Sequence, residues 1–192
     1  YACSDFKFKK GLVSATKTSG HTLQIADGLW LDKKFKAAMM KSIAQSELDR
    51  KRFVYSDIGF ILLQQVVEAV TGKTLDAYLV SEFYRPMGLE HTLFQPLNRY
   101  KKADIMPTAA NDYLRRQDLC GYVHDEAAAF MGGVSGNAGL FSTAQELGKI
   151  YQMILNEGEL DGKRYLRPET CRIFTTEKSA VSHRGLGYDK PN

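Results

Sequence analysis

Residues 58–70, IGFILLQQVVEAV, constrain the fold more than any other stretch. They hold one charged residue, Glu68, and their apolar side chains recur at helical spacing, which predicts a helix. Ile58, Ile61, Leu62, Gln65, Val66 and Ala69 share one stripe, the face expected to meet a core. The helix also has a start and a stop. Asp57 is placed to cap it, because a carboxylate can accept the unpaired N–H groups of a first turn. Gly72 is placed to end it in the left-handed conformation. The start is marked by the triplet Tyr55-Ser56-Asp57, which could be a helix entry alone or part of an active site.

The rest of the chain reads as further helices joined by long loops. Phe35, Met39 and Ile43 predict a helix over 32–46. Thr74 caps a second over 75–84, which stops before Pro86. Residues 98–118 read mostly as loop, and residues 1–32 as irregular. The segment MGGVSGNAGLF is glycine-rich, so Gly132, Gly133, Gly136 and Gly139 are expected at positive φ or at close backbone approaches. Either Ser142 or Thr143 then caps a helix, since Ser142…Gln145 and Thr143…Glu146 both fit a capping box. Asp161-Gly162 predicts a hairpin turn, and Pro168 opens a short helix over 168–176. Long loops in a compact fold tend to carry function.

Composition excludes several classes. With 44% hydrophobic and 25% charged residues, the 192-residue chain has the balance of a soluble globular protein. The net charge of +4 is small and scattered, and basic stripes interleaved with aromatics are missing, so nucleic acid is not an expected partner. Cys3, Cys120 and Cys171 lie far apart and read as buried thiols rather than a disulfide framework. The four histidines are equally dispersed, which argues against a zinc site. No metal or organic cofactor is implied. No stretch has the length of a transmembrane helix. The abrupt ends, YACSDF and GLGYDKPN, suggest a piece of a longer protein.

Three blocks, VYSDIGFILLQQVVEAVTGKTLDAYL, FYRPMGLEHTLF and GGVSGNAGLFSTAQELGKIYQMILNEGELDGKRYLRPET, together resemble the serine β-lactamase and penicillin-binding-protein superfamily. The resemblance is to its class C-like branch of β-lactamases, esterases and D-Ala-D-Ala peptidases. VHDEAAAFMGG and RGLGYDKPN also resemble β-lactamase-like domains fused to glycoside hydrolase family 3 enzymes. The family implies three motifs: Ser-x-x-Lys with the acylated serine, Tyr-x-Asn, and Lys- or His-x-Gly beside the oxyanion hole. A serine hydroxyl needs a neighbouring base. A phenol can serve only where nearby cations favour its phenolate. The resemblance makes Tyr55 the general base or acid and Asp57 a substrate contact. Asp57 stands where the family has Asn, and an ionised carboxylate only accepts where an amide also donates.

Ser4-x-x-Lys7 and Ser14-x-x-Lys17 fit the first motif by letter, and His183-Arg184-Gly185 fits the third. None suits its context. The family's serine opens a long apolar helix, whereas polar, glycine-containing sequence follows Lys7 and Lys17. The gap from Lys17 to Tyr55 is also short for the family. The expected fold is therefore mainly α: the helical domain of the β-lactamase/transpeptidase-like α+β fold, with most of the antiparallel sheet absent. Residues 1–192 form one truncated domain carrying the second motif. The parent is expected to act by acyl-enzyme chemistry on a β-lactam, a D-Ala peptide or an ester. The expected substrate is a small molecule or a peptidoglycan fragment, a fused glycoside hydrolase domain is the expected partner, and the location is periplasmic, extracellular or cell envelope. The rival is a non-catalytic domain that binds cell-wall fragments or packs on the fused glycosidase.

Overall fold

The computed structural model describes residues 10–47, 54–176, 179–180 and 184–189. Two compact units form. The first comprises Tyr1–Leu48, Ser56–Leu79 and Leu93–Phe141; the second comprises Asp49–Tyr55, Val80–Thr92 and Ser142–Asn192.

The first unit opens with a three-stranded antiparallel sheet where the sequence reads as irregular. Strands β1 (Val13–Ser14), β2 (His21–Ala26) and β3 (Leu29–Asp32) lie in the order β1-β3-β2. Asp27-Gly28 turns β2 into β3, with Gly28 at φ 60°. Two register shifts break the β2–β3 ladder, so the sequence lacks the clean alternation that marks a strand. Ile25 and Leu31 enter the core with Phe35 and Met39 of helix α1 (Phe35–Gln45), as the spacing of α1 predicts. The Phe35 ring meets Phe130 at 5.0 Å between centroids.

Helices α2 (Ile58–Thr71) and α3 (Leu75–Leu79) follow, and Gly72 ends α2 at φ 67° as expected. Short strands β4 (Leu93–Phe94), β5 (Pro107–Ala109), β6 (Leu119–Cys120) and β7 (Leu140–Phe141) pair as β4–β7 and β5–β6. The sequence predicts no strand at any of the four, because two or three residues cannot show a period. Helix α4 (Glu126–Phe130) is capped by Asp125, which accepts from the Ala128 N–H at 2.7 Å, and its residues 127–130 are buried. A buried ion pair sits in the same unit. Arg115 grips Asp112 through Nε (2.9 Å) and Nη2 (2.8 Å), and donates to the carbonyls of Val123 and His124. Cys120 is buried, with its Sγ against the carbonyls of Lys102 (3.3 Å) and Ile105 (3.1 Å).

The second unit begins its regular structure with a π-helical turn, Val80–Tyr84, where a continuous α-helix is predicted. Helix α5 (Ala144–Leu155) is capped by Thr143, whose hydroxyl accepts from the Glu146 N–H at 3.2 Å. The reciprocal half of the predicted capping box does not form. The Glu146 carboxylate instead accepts from the N–H groups of Glu90 (2.8 Å) and His91 (3.0 Å) and from the Thr92 hydroxyl (2.6 Å). Strands β8 (Glu159–Leu160) and β9 (Lys163–Arg164) make the predicted hairpin. Asp161 and Gly162 both have positive φ, 51° and 75°, the type I′ geometry that suits strand twist. Helix α6 (Pro168–Thr176) matches its predicted bounds and buries the free thiol of Cys171. Among the described residues helix exceeds strand, so the expectation of a mainly helical chain is met in part: four small sheets accompany the helices.

Candidate active-site segment

Tyr55 lies in irregular chain ahead of α2, within the second unit, and is 61% exposed. The Arg184 guanidinium stands over its ring, 5.2 Å from the centroid. Arg184 is held by a tight turn. It bridges to Asp189, its Nη2 lies 3.6 Å from the Asp189 carboxylate, and the Gly185 N–H donates to the Tyr188 carbonyl at 2.8 Å. Sequence reasoning asks for a cation beside Tyr55 and looks for a lysine. The cation is instead Arg184, within the His-x-Gly string and 129 residues away in sequence, beyond any local pattern. An arginine stays protonated, so it cannot take a proton from serine.

Asp57 is half-buried at the head of α2 in the first unit. It does not cap the helix as expected. Its backbone is already helical, at φ −76° and ψ −20°, and its carboxylate takes no capping bond. Ser56 Oγ accepts from the Ile58 N–H at 3.3 Å instead, and the Asp57 carbonyl accepts from Phe60 and Ile61. A side chain needs extended backbone to reach the N–H groups of N2 and N3, which Asp57 lacks.

The start of α2 is tied to the glycine-rich segment by a residue the sequence reading passed over. Gln64 is fully buried: its Oε1 accepts from the Gly136 N–H at 3.1 Å, and its Nε2 donates to the Val134 carbonyl (3.3 Å) and Glu68 Oε1 (2.9 Å). A Cβ on Gly136 would lie 2.2 Å from the Phe60 carbonyl oxygen, so glycine is needed for that close approach. Gly132, Gly133 and Gly139 have φ of 92°, 85° and 106°. The glycine expectation thus holds at all four positions. Ser135 Oγ donates to Asn137 Oδ1 (2.6 Å), and Asn137 Nδ2 donates to the helix-capping Asp125 (2.9 Å), which fixes the far side of the loop. A cavity of about 270 Å³ opens beside this loop, lined by Lys17, Trp30, Gln95, Gly132 and Gly133 among others; neither Tyr55 nor Asp57 lines it.

The tempting motifs remain unsuited. Ser14 is on strand β1, not at a helix start, and the Lys17 ammonium lies over the Trp30 ring at 5.5 Å from its centroid. Ser4, Lys7 and His183 lie outside the described residues. Among the described residues, no group of three or more His, Cys, Asp or Glu side chains could hold a metal ion.

The helices, the small antiparallel sheets and the glycine loop gripped by α2 suit the β-lactamase and penicillin-binding-protein class of fold. Residues 15–190 match the Beta-lactamase family model, and the chain belongs to that family. It is 39% identical over 149 residues to an Escherichia coli K12 protein bearing the provisional name D-alanyl-D-alanine carboxypeptidase, covering 71% of this chain and 34% of that protein. It is 37% identical, with the same coverage, to a Bacillus subtilis protein named N-acetylmuramyl-L-alanine amidase. The chain thus spans about a third of the length of the curated relatives it matches. In fold it is similar to the octameric penicillin-binding protein homologue from Pyrococcus abyssi, at TM-score 0.55 and 18% identity over 77% of this chain and 32% of that one.

Proposed function

We propose that the chain is the tyrosine-bearing helical part of a serine hydrolase that works through an acyl-enzyme on a D-alanyl peptide, a β-lactam or an ester of similar shape. The observation that carries this reading is the exposed Tyr55 ring beneath Arg184, at the head of α2 in a β-lactamase-family chain. The names of the relatives support a peptide of the cell wall as substrate and an envelope location. Tyr55 passes the proton between the nucleophilic serine and the leaving group, with the Arg184 guanidinium standing over its ring. Asp57 meets the substrate amide N–H as an acceptor. The Ser-x-x-Lys and Lys- or His-x-Gly motifs come from outside this chain.

The test is acylation of the full-length gene product by a penicillin, followed by intact mass. Tyr55→Phe should slow acylation by about 10²–10⁴-fold, the usual worth of a general acid–base group. Acylation of Tyr55→Phe at the unaltered rate overturns the role of Tyr55. A second reading rests on Asp57: its carboxylate lacks the donor that an asparagine amide offers. On that reading the parent binds wall fragments without cleaving them, or packs on a fused glycosidase. A full-length protein that binds muropeptides yet forms no adduct with penicillin supports it.

A further inference from the structure

The cavity beside the glycine-rich loop is lined entirely by the first unit. Its apolar lining is Leu23, Ile25, Leu97, Val123, Ala129 and Phe141, of which Ile25, Val123 and Ala129 are buried. Three glycines at positive φ complete the wall: Gly121 at 77°, with Gly132 and Gly133. Each is backed by a side chain of the same lining. A Cβ would lie 2.6 Å from Leu97 Cγ at Gly121, 3.4 Å from Leu23 Cδ2 at Gly132 and 3.4 Å from Gln95 Cγ at Gly133. Gln95 itself takes the left-handed conformation, φ 49° and ψ 59°, which costs energy for a residue with a side chain. Its Nε2 donates to the Gly132 carbonyl and its Oε1 accepts from Asn98 Nδ2, so the strained residue is pinned into the wall. Strain held in place around a cavity points to a use for the cavity.

We propose that this cavity binds a small organic monocarboxylate with a compact apolar or aromatic body. Among the described residues, Lys17 is the only charged one that lines it, and no carboxylate pairs with that ammonium. Lys17 is exposed, so a single positive charge stands at the mouth above an apolar floor. The Trp30 ring beneath the ammonium attracts it by cation–π contact and leaves its N–H donors for an anion. A carboxylate meets that charge while its body fills the lining. Phosphate fits worse, because phosphate sites converge several backbone N–H groups or an arginine fork. Here the N–H groups of Gly132 and Gly133 are spent on the carbonyls of Ala129 and Ala128, each at 2.9 Å. The Tyr122 hydroxyl is spent on Asp27 at 3.0 Å. A volume of about 270 Å³ is at the small end of ligand pockets, so the ligand is small. The inference rests on the cavity and not on serine chemistry, so it stands or falls apart from the role of Tyr55.

The single tryptophan of these 192 residues, Trp30, lines the cavity and reports on it directly. The experiment uses the full-length gene product labelled with 5-fluorotryptophan and read by fluorine NMR. The Trp30 resonance is the one lost in Trp30→Phe. Phenylacetate, which joins one carboxylate to one ring, is the probe. It should shift that resonance saturably, with half-saturation below about 1 mM. Phenylacetamide, of the same shape without the charge, should bind at least about 10-fold more weakly, as loss of a charge-assisted contact predicts. Lys17→Gln should weaken phenylacetate by the same factor, and Lys17→Arg should restore it. Lys17 is exposed, so its variants should melt with the parent, which separates loss of binding from loss of fold. No saturable shift up to about 10 mM phenylacetate overturns the proposal. Equal binding of phenylacetamide, or unaltered binding by Lys17→Gln, overturns it as well. Tighter binding of phenyl phosphate than of phenylacetate assigns the cavity to phosphates and also overturns it.

Discussion

Two buried carboxylates show how single residues set the acid tolerance of this chain. Burial pushes the Glu146 carboxyl up, but the Thr92 hydroxyl and the N–H groups of His91 and Glu90 outweigh it and hold the group below its usual range. Asp112 follows the same pattern, with burial opposed by the bonds from Arg115. A carboxyl lowered on folding stabilises the fold above its unfolded value and loses that contribution as pH falls through the folded value. Melting temperature should therefore drop as pH falls below the ordinary carboxylate range. In Glu146→Gln that dependence should flatten, with a loss of about 1–3 kcal/mol at neutral pH from imperfectly satisfied partners. An unchanged acid profile in Glu146→Gln, measured by melting from pH 3 to 7, would remove Glu146 from this account. Arg115→Ala leaves Asp112 charged, buried and unpaired, and should cost about 3–5 kcal/mol in urea unfolding. These roles were only half legible. Thr143…Glu146 reads as a capping box, and the cap is there, but the partners of the carboxylate lie more than 50 residues earlier in sequence, beyond any local pattern.

At the scale of elements, legibility followed how much of the determining chemistry was local. Helices α1, α5 and α6 and the Asp161-Gly162 hairpin were readable because spacing, caps and turn residues specify them within a few positions. Strands β1–β3 escape a reading by period because two register shifts break the alternation of the β2–β3 hairpin and β1 is only two residues long. The orientation of α2 differs from the predicted stripe because its polar side, with Gln64 and Glu68, is the one that faces inward, and the deciding contact is Gln64 with a loop 70 residues away. Two glycine substitutions separate tight packing from open surface. Gly136→Ala sets a methyl against the Phe60 carbonyl and should destabilise by about 1–3 kcal/mol, as overpacking does. Gly148→Ala, inside α5 with nothing within 4 Å of the added carbon, should stabilise by about 0.5–1 kcal/mol through helix propensity. Thermal melts of the two variants should move in opposite directions.

At the scale of the whole molecule, the 192-residue chain should form no covalent adduct with penicillin, because a tyrosine base without its serine and oxyanion donors has nothing to activate. A stoichiometric adduct on Ser4 or Ser14, found by intact mass, would show that one of those serines is the nucleophile after all. The family was legible from three blocks of sequence, whereas the division into two compact units was not, since each gathers segments far apart along the chain. That division has a consequence in the thiols. Cys120 is buried in the first unit and Cys171 in the second, so each unit carries its own built-in clock of opening. A thiol reagent added at rising urea would time the two clocks independently, without any engineered label. If the units melt as one cooperative block, Cys120 and Cys171, told apart from Cys3 by peptide mass, become reactive at one urea concentration. If one unit yields first, its thiol is modified while the other stays silent, and the weaker half of the molecule identifies itself.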